Sequence, residues 1–200
     1  MPTADKPFSQ SCENNKEPIL AVLRDAFAER RHILEIGSGT GQHAVHFAAH
    51  MPHLNWQTSD LPEHHDGIRR WLDEAGLDNV RPPLTLDVTQ PHWPEGFDGV
   101  FTANTTHIMP WPAVIVMIAR IGALLPAGGV FCQYGPFNYA GAYTSDSNAR
   151  FDRWLKQVDP ARGIRDFEAV AELAERAGLV LEADHALPAN NRLLHWRKRG

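Results

Sequence analysis

The run ILEIGSGTGQH, residues 33–43, decides the reading of this chain. A short apolar stretch interrupted by Glu35 leads into glycines at 37, 39 and 41, and QHAVHFAAH beyond them has the make-up of a helix. A strand, a glycine turn and a helix in that order bring unpaired N–H groups and the partial positive charge of a helix N-terminus to one place, where cofactors bind. Dinucleotide-binding turns of this kind read G-x-G-x-x-G. Gly37 and Gly39 fit that pattern, but its third position is Gln42, and the third glycine has moved to Gly41. Glu35, just before the turn, would repel a pyrophosphate and attract a cationic group. The stretch therefore favours a cofactor that carries an ammonium and no phosphate.

Outward from this turn, strand-like and helix-like segments alternate. Strands are expected at 32–36, 54–58, 83–88, 97–103 and 129–134, and helices at 41–50, 63–75, 111–125 and 166–177. Such alternation argues for a parallel sheet covered by helices on both faces, with right-handed crossovers. The last two strand-like runs, 179–187 and 192–199, are joined only by PANN, too short for a crossover, so they should pair as an antiparallel hairpin. Ahead of the first strand, residues 1–15 read as an irregular polar arm. A helix is expected after an Asn14 or Asn15 cap, with Pro18 in its first turn and Ile19, Leu20, Val22, Leu23, Ala26 and Phe27 forming its apolar stripe.

The chain has 200 residues, compatible with one domain spanning 1–200. At 43% hydrophobic and 22% charged it has enough apolar residues for a sizeable core. Its formal net charge of −5 offers no field that would gather a nucleic acid or an acidic membrane, so neither is expected as a partner. The one basic cluster, Arg197, Lys198 and Arg199, reads as a solvated tail. Cys12 and Cys132 lie far apart in different contexts, so no disulfide is expected, in keeping with a reducing cytoplasm. No run approaches the roughly 18 to 20 apolar residues of a membrane span, and no basic region followed by an apolar one marks an export signal at the start.

Asp60 follows Glu35 at the end of the second strand, and its two carboxylate oxygens suit the paired hydroxyls of a ribose. The sequence EIGSGTG resembles the first motif of class I methyltransferases that use S-adenosylmethionine. The resemblance implies that the turn packs on the methionyl part of that cofactor, that Glu35 serves its amino group, and that Asp87, after the third strand, sits beside the adenine. It extends further: ENNKEPIL, GSGTGQHAVHFA, LDVT, QYGPF, SNARFD, GIRD and LPANNR are similar to blocks of the methyltransferase-like twenty-six family, long labelled a domain of unknown function. That likeness runs from about residue 8 to residue 198. It implies a Rossmann-like class I methyltransferase fold, with a seven-stranded, mostly parallel sheet ending in an antiparallel hairpin. Cofactor contacts are then expected from Lys16, Glu35, Gly37, Ser38 and Gly39, and from Gln42, Asp60, Asp87, Val88 and Asn104. Members commonly read ERNK where this chain has Glu13, Asn14, Asn15 and Lys16, which leaves Lys16 as the nearby cation for the cofactor carboxylate.

Methyl transfer needs an acceptor held in line, and proximity alone can supply roughly 7 to 11 kcal/mol, so a dedicated base is optional. The segment ANTTHIMPW, 103–111, follows the fourth strand, where class I enzymes touch both cofactor and acceptor. Asn104 stands where nucleobase and glutamine methyltransferases begin D/N-P-P-Y/F, but Thr105 and Thr106 replace the prolines, so those acceptors are not supported. His107 is the candidate general base, with an ordinary pKa near 6.5, and Tyr134 is a second catalytic candidate. Residues 136–165 are expected to form a lid over the acceptor pocket, lined by Tyr134, Asn138, Asn148, Phe151 and Arg165. His43, His46 and His50 share a helix face without a carboxylate or cysteine to complete a metal set, and no metal is expected. The resulting expectation is methyl transfer from S-adenosylmethionine to a small molecule. Two alternatives are a non-catalytic S-adenosylmethionine-binding or partner-binding protein and, more weakly supported, an NAD-dependent oxidoreductase.

Overall fold

A computed structural model describes residues 6–200; the first third of the expected irregular arm, residues 1–5, lies outside the described residues. The chain runs α1 (Gln10–Ala26), β1 (His32–Ile36), α2 (Gln42–His50), β2 (Asn55–Asp60), a short 3-10 turn (Pro62–His64), α3 (His65–Ala75) and β3 (Val80–Thr85). It continues β4 (Gly99–Ala103), α4 (Trp111–Leu124), β5 (Val130–Gly135), β6 (Phe137–Asn138), α5 (Asp146–Val158), β7 (Arg165–Asp166), α6 (Phe167–Arg176), β8 (Leu179–Leu187) and β9 (Asn191–Lys198). Seven strands form one sheet in the order β3-β2-β1-β4-β5-β9-β8. β1 to β5 are parallel, while β9 runs antiparallel to both β5 and β8. The expected fold class is the one observed, terminal hairpin included.

Strand periodicity explains the layers. Ile33, Phe101, Cys132 and Leu193 enter one apolar cluster with α1, α2 and α3, while their neighbours Leu34, Val100, Phe131 and Leu194 enter a second with α4 and α6. Successive side chains point to opposite faces, so the sheet is buried on both sides by helices. Chain order reverses between β1 and β4, and ligands of open α/β sheets gather outside the carboxyl ends of strands at such a point.

Three local expectations are corrected. The first helix begins at Gln10, not after Asn14 or Asn15, with Ser9 as its cap and Pro18 in its interior. Tertiary bonds override the proline signal: Gln42 Oε1 accepts the Ser9 N–H at 2.6 Å, and Gln42 Nε2 donates to Glu13 Oε1 at 2.8 Å. The third strand spans 80–85 rather than 83–88, because it is an edge strand where Pro82 and Pro83 lose no ladder partner. A bulge opposite Gln57 and Ser59 accommodates them, and Thr58 and Gln57 donate side-chain hydrogen bonds to the carbonyls of Arg81 and Pro82. The basic C-terminus is not a free tail, since Arg197 pairs with Glu182 inside the hairpin and Lys198 donates to the Ala177 carbonyl. Cys12 and Cys132 are both free thiols. Among the described residues, no helix is long and apolar enough to cross a membrane.

Gly122 marks how closely α4 and α6 approach: a Cβ there would stand 2.3 Å from the Ala177 carbonyl oxygen. Helix propensity favours Gly122→Ala by about 1 kcal/mol, while overpacking against backbone costs about 1–3 kcal/mol. Urea unfolding is expected to show Gly122→Ala net destabilised, and a more stable variant would refute this packing.

Candidate functional site

A cavity of about 1130 Å³ opens at the carboxyl edge of the sheet. Every parallel strand end contributes to it: Gly37 after β1, Asp60 of β2, Asp87 beyond β3, Asn104 after β4 and Tyr134 of β5. The volume exceeds the ~300–1,000 Å³ usual for one small-molecule ligand. It has room for two ligands side by side.

The glycine turn forms one wall. Gly37, Gly39 and Gly41 have φ of 72°, 58° and 90°, which side chains other than glycine rarely adopt. A Cβ on Gly37 would lie 2.6 Å from Thr105 Cγ2, whereas one on Gly39 would meet nothing within 4 Å, since Gly39 faces the cavity. The turn's N–H groups are mostly satisfied within the protein. Those of Gly37 and Ser38 donate to the Ser59 carbonyl at 3.0 Å each, that of Gly39 to Asp60 Oδ2 at 2.7 Å, and that of Gly41 to the Ser38 carbonyl. A turn so bonded offers few donors to a phosphate.

Glu35 does not reach the cavity wall. Its buried carboxylate accepts from Ser38 Oγ at 2.8 Å and Trp56 Nε1 at 3.1 Å, behind the glycine turn. Burial, aided by the Asp60 charge, raises its pKa to about 7, against the two hydrogen bonds that favour the ionised form. Asp60 takes the N–H groups of Gly39 and Leu61 and faces the cavity. Asp87 also faces it, capped by the Thr89 N–H at 2.9 Å and the Thr89 hydroxyl at 2.7 Å, bonds that hold its carboxyl below the ordinary range. Val88 and Ser38 line the wall beside these acids.

Asn104, in the left-handed region at φ 58°, lines the cavity and anchors its own N–H on the Tyr134 carbonyl at 2.9 Å. His107 is buried at 4% exposure, and its ring sits 5.3 Å from that of Phe151, edge to face. Burial lowers its pKa to about 4, with Arg165 and Arg162 adding repulsion, so at pH 7 it is a neutral imidazole. Tyr134 is buried too, which pushes its phenol up, partly offset by hydrogen bonds with Asn15 and Asn191.

Besides Glu35, four of the expected contacts lie off the cavity. Lys16 pairs with Glu13, and Gln42 ties α1 to the turn, because each finds a partner nearer than any ligand. Arg165 donates to the carbonyls of Thr106, Met109 and Ala161 and stacks over Trp111, holding the loop that carries His107. Asn138 sits in a separate two-stranded sheet with β7, its Oδ1 buried without a partner. Within 136–165 the expected lid contains the helix α5, with Asn148, Phe151 and Trp154 on the cavity. Sequence reasoning missed Asn15, Asn191 and Trp154, all of which line it. Asn15 Oδ1 lies 2.6 Å from His43 Nε2, so this histidine, buried and with a pKa of about 4, is a packing group. Among the described residues no group of three or more His, Cys, Asp or Glu could hold a metal.

Sheet order and terminal hairpin define the class I methyltransferase fold, and solved structures share it. S-adenosylmethionine-dependent methyltransferase SibL is similar at 20% identity with a TM-score of 0.81, over 95% of this chain and 56% of that one. An O-methyltransferase family protein from Burkholderia thailandensis gives 17% and 0.83, over 95% and 58%. Human N-acetylserotonin methyltransferase, solved with its cofactor, gives 15% and 0.79, over 96% and 53%. The chain thus spans just over half the length of these proteins. It belongs to the family described as "Protein of unknown function (DUF938)", whose profile matches residues 6–198.

Glu35 gives a pH test with a definite sign. Its ordinary pKa is 4.5 and its folded value about 7, so between these the native state holds a proton the unfolded chain has lost. Stability drawn from that proton is complete below about pH 4.5 and is lost as pH rises through 7. Urea unfolding should therefore show wild type losing roughly 2–4 kcal/mol relative to Glu35→Gln between pH 4.5 and 7. A constant difference would refute the burial of this carboxyl.

Proposed function

We propose that this protein is a methyltransferase that uses S-adenosylmethionine and methylates a small molecule. We further propose that it belongs with the methyltransferase-like twenty-six family, acts in the cytoplasm, and functions as a single domain over 1–200. The observation that carries the reading is the bonding of the glycine turn: its N–H groups are taken by Ser59, Asp60 and Ser38, and a carboxylate lies behind it. That arrangement suits a cationic ligand group and opposes a pyrophosphate, which separates it from an NAD-dependent oxidoreductase. The open space over Gly39 leaves a cradle that any side chain would fill.

In this reading Gly37, Ser38 and Gly39 pack on the methionyl part, with Glu35 behind the turn, where a nearby cationic group would favour its ionised form. Asp60 accepts the ribose hydroxyls, Asp87 and Val88 border the adenine, and Asn104 closes the wall between the two ligands. No Lys or Arg lines the cavity among the described residues, so the carboxylate end falls to the neutral donors of α1 in place of Lys16. When bound, S-adenosylmethionine supplies a methyl carbon on a sulfonium, which an acceptor atom takes as the carbon–sulfur bond breaks and its electron pair stays on sulfur. The protein's own part is to orient that acceptor and keep water away. His107 and Tyr134, both buried, offer hydrogen bonds that aim the acceptor atom. A histidine with a pKa of about 4 is a weak proton acceptor at neutral pH, so it acts chiefly by position. The segment 136–165 serves as the cover, with Asn148 and Phe151 against the acceptor.

Thermal unfolding with S-adenosylhomocysteine tests this reading. At about 100 times its dissociation constant the ligand should stabilise the protein by about 2.7 kcal/mol, while NAD gives no shift. Asp87→Ala should weaken the affinity by about tenfold or more, read by calorimetry. A shift with NAD alone would replace the reading by the oxidoreductase one. S-adenosylhomocysteine binding without label transfer from methyl-labelled cofactor to a metabolite extract would favour the non-catalytic one.

A further inference from the structure

The chemistry of the acceptor can be taken a step further, on the basis of the methyl-transfer reading above. We propose that the acceptor is an uncharged, flat aromatic molecule that stacks on Trp154 beside Phe151.

α5 turns one face to the cavity, with Asn148, Phe151 and Trp154 spaced for successive turns. The Phe151 and Trp154 rings lie nearly parallel, 15° apart with centroids at 5.8 Å, and Phe151 meets His107 edge-on. The two rings stack on each other, and Trp154, the more exposed of the pair, leaves its outer face for a further ring. Trp154 lines the cavity yet is 54% exposed, and Leu61 and Ile108, also on the cavity, are 38% and 43% exposed. Large apolar side chains left uncovered around one opening mark a surface that a ligand of the same character covers. Parallel ring faces select a flat partner, since offset stacking needs a second plane.

Charge narrows the class further. With no Lys or Arg on the cavity among the described residues, an anionic acceptor would meet no counter-charge and would face Asp60 and Asp87. A cationic acceptor would be repelled by the sulfonium that the methyl-transfer reading places in the same cavity. Asp152, the acid beside Phe151 in sequence, is buried and engaged by the Tyr143 hydroxyl at 2.7 Å, Lys156 Nζ at 2.6 Å and the Ile164 N–H at 2.7 Å. The Tyr143 and Ile164 bonds also pin α5, as does Asn148 Nδ2 on the Asn190 carbonyl at 3.2 Å, so the wall is in place before a ligand arrives.

The test uses the full chain saturated with S-adenosylhomocysteine and titrates 2-naphthol, its 6-sulfonate and the saturated ring analogue 2-decalol by calorimetry. 2-Naphthol is expected to bind at least about tenfold more tightly than either of the others. Trp154→Ala should weaken it by about tenfold or more, and Phe151→Leu should also weaken it. Val158→Ala, exposed on the same helix and off the cavity, should leave it unchanged. Equal or tighter binding of the sulfonate or the decalol, no binding of 2-naphthol, or indifference to Trp154→Ala would each overturn the proposal. Failure of S-adenosylhomocysteine itself to bind would instead count against the methyl-transfer reading, and the same series on the free chain would then decide the aromatic one.

Discussion

Ser59 is the residue on which the arrangement of the site depends. Its carbonyl accepts the N–H groups of Gly37 and Ser38, its own N–H donates to Ser38 Oγ at 3.1 Å, and its hydroxyl donates to the Glu35 carbonyl at 2.6 Å. All of these bonds are buried, where a lost partner costs about 1–3 kcal/mol apiece, so the glycine turn is stitched to β2 and has little freedom. The stitch has two consequences. It takes the donors that would otherwise meet a phosphate, and it presents the next residue, Asp60, to both the Gly39 N–H and the cavity. Beyond the turn, α2 begins at Gln42, whose side chain receives α1. The N-terminal helix is in effect built onto the turn.

Behind that stitch the electrostatics are unusual, because Glu35 is buried with hydrogen bonds and no cation. Ser38 and Trp56 offset part of the desolvation, yet the pKa still reaches about 7, which shows that burial outweighs them. The two buried histidines on the cavity shift the opposite way for the same reason: His43 and His107 are both neutral because burial opposes their charge. A site whose buried histidines are neutral and whose carboxylates stand at the sheet edge has a polar, acidic end and a neutral, aromatic end. Those two ends match the two ligands that methyl transfer brings together.

Much of this was legible in the sequence, for physical reasons. Alternating β and α segments with short connections leave few topologies, and the four-residue PANN link admits only a hairpin. The positions of Asp60, Asp87 and Asn104 follow once each is known to end or closely follow a strand, because parallel strands deliver their carboxyl ends to one edge. What was not legible depends on long-range partners. Gln42 matched a cofactor position but is drawn to Ser9 and Glu13, 33 and 29 residues away. Lys16 found Glu13 a turn away. Asn15 and Asn191 reach the same cavity from opposite ends of the chain, and no spacing rule links them. The helix α5 was hidden because SDSNARFDRW is polar, and its apolar residues mark a cavity wall rather than a core stripe.

That polarity bears on how the site could work without a strong base. Asp152 ties α5 to the segments on either side of it through the Tyr143 hydroxyl and the Ile164 N–H, and Asn148 ties it to the Asn190 carbonyl. An acceptor held between this fixed helix and the His107 loop, itself clamped by Arg165, would lose little further freedom on reaching a reactive alignment. Effective concentration of that kind can lower a barrier by more than a general base contributes, since base catalysis is typically ~10²–10⁴-fold and alignment can exceed that by orders of magnitude. A neutral imidazole that orients, with a pKa too low to remove protons well, is then consistent with catalysis. The energetic demand falls on the bonds that keep α5 and the His107 loop in register.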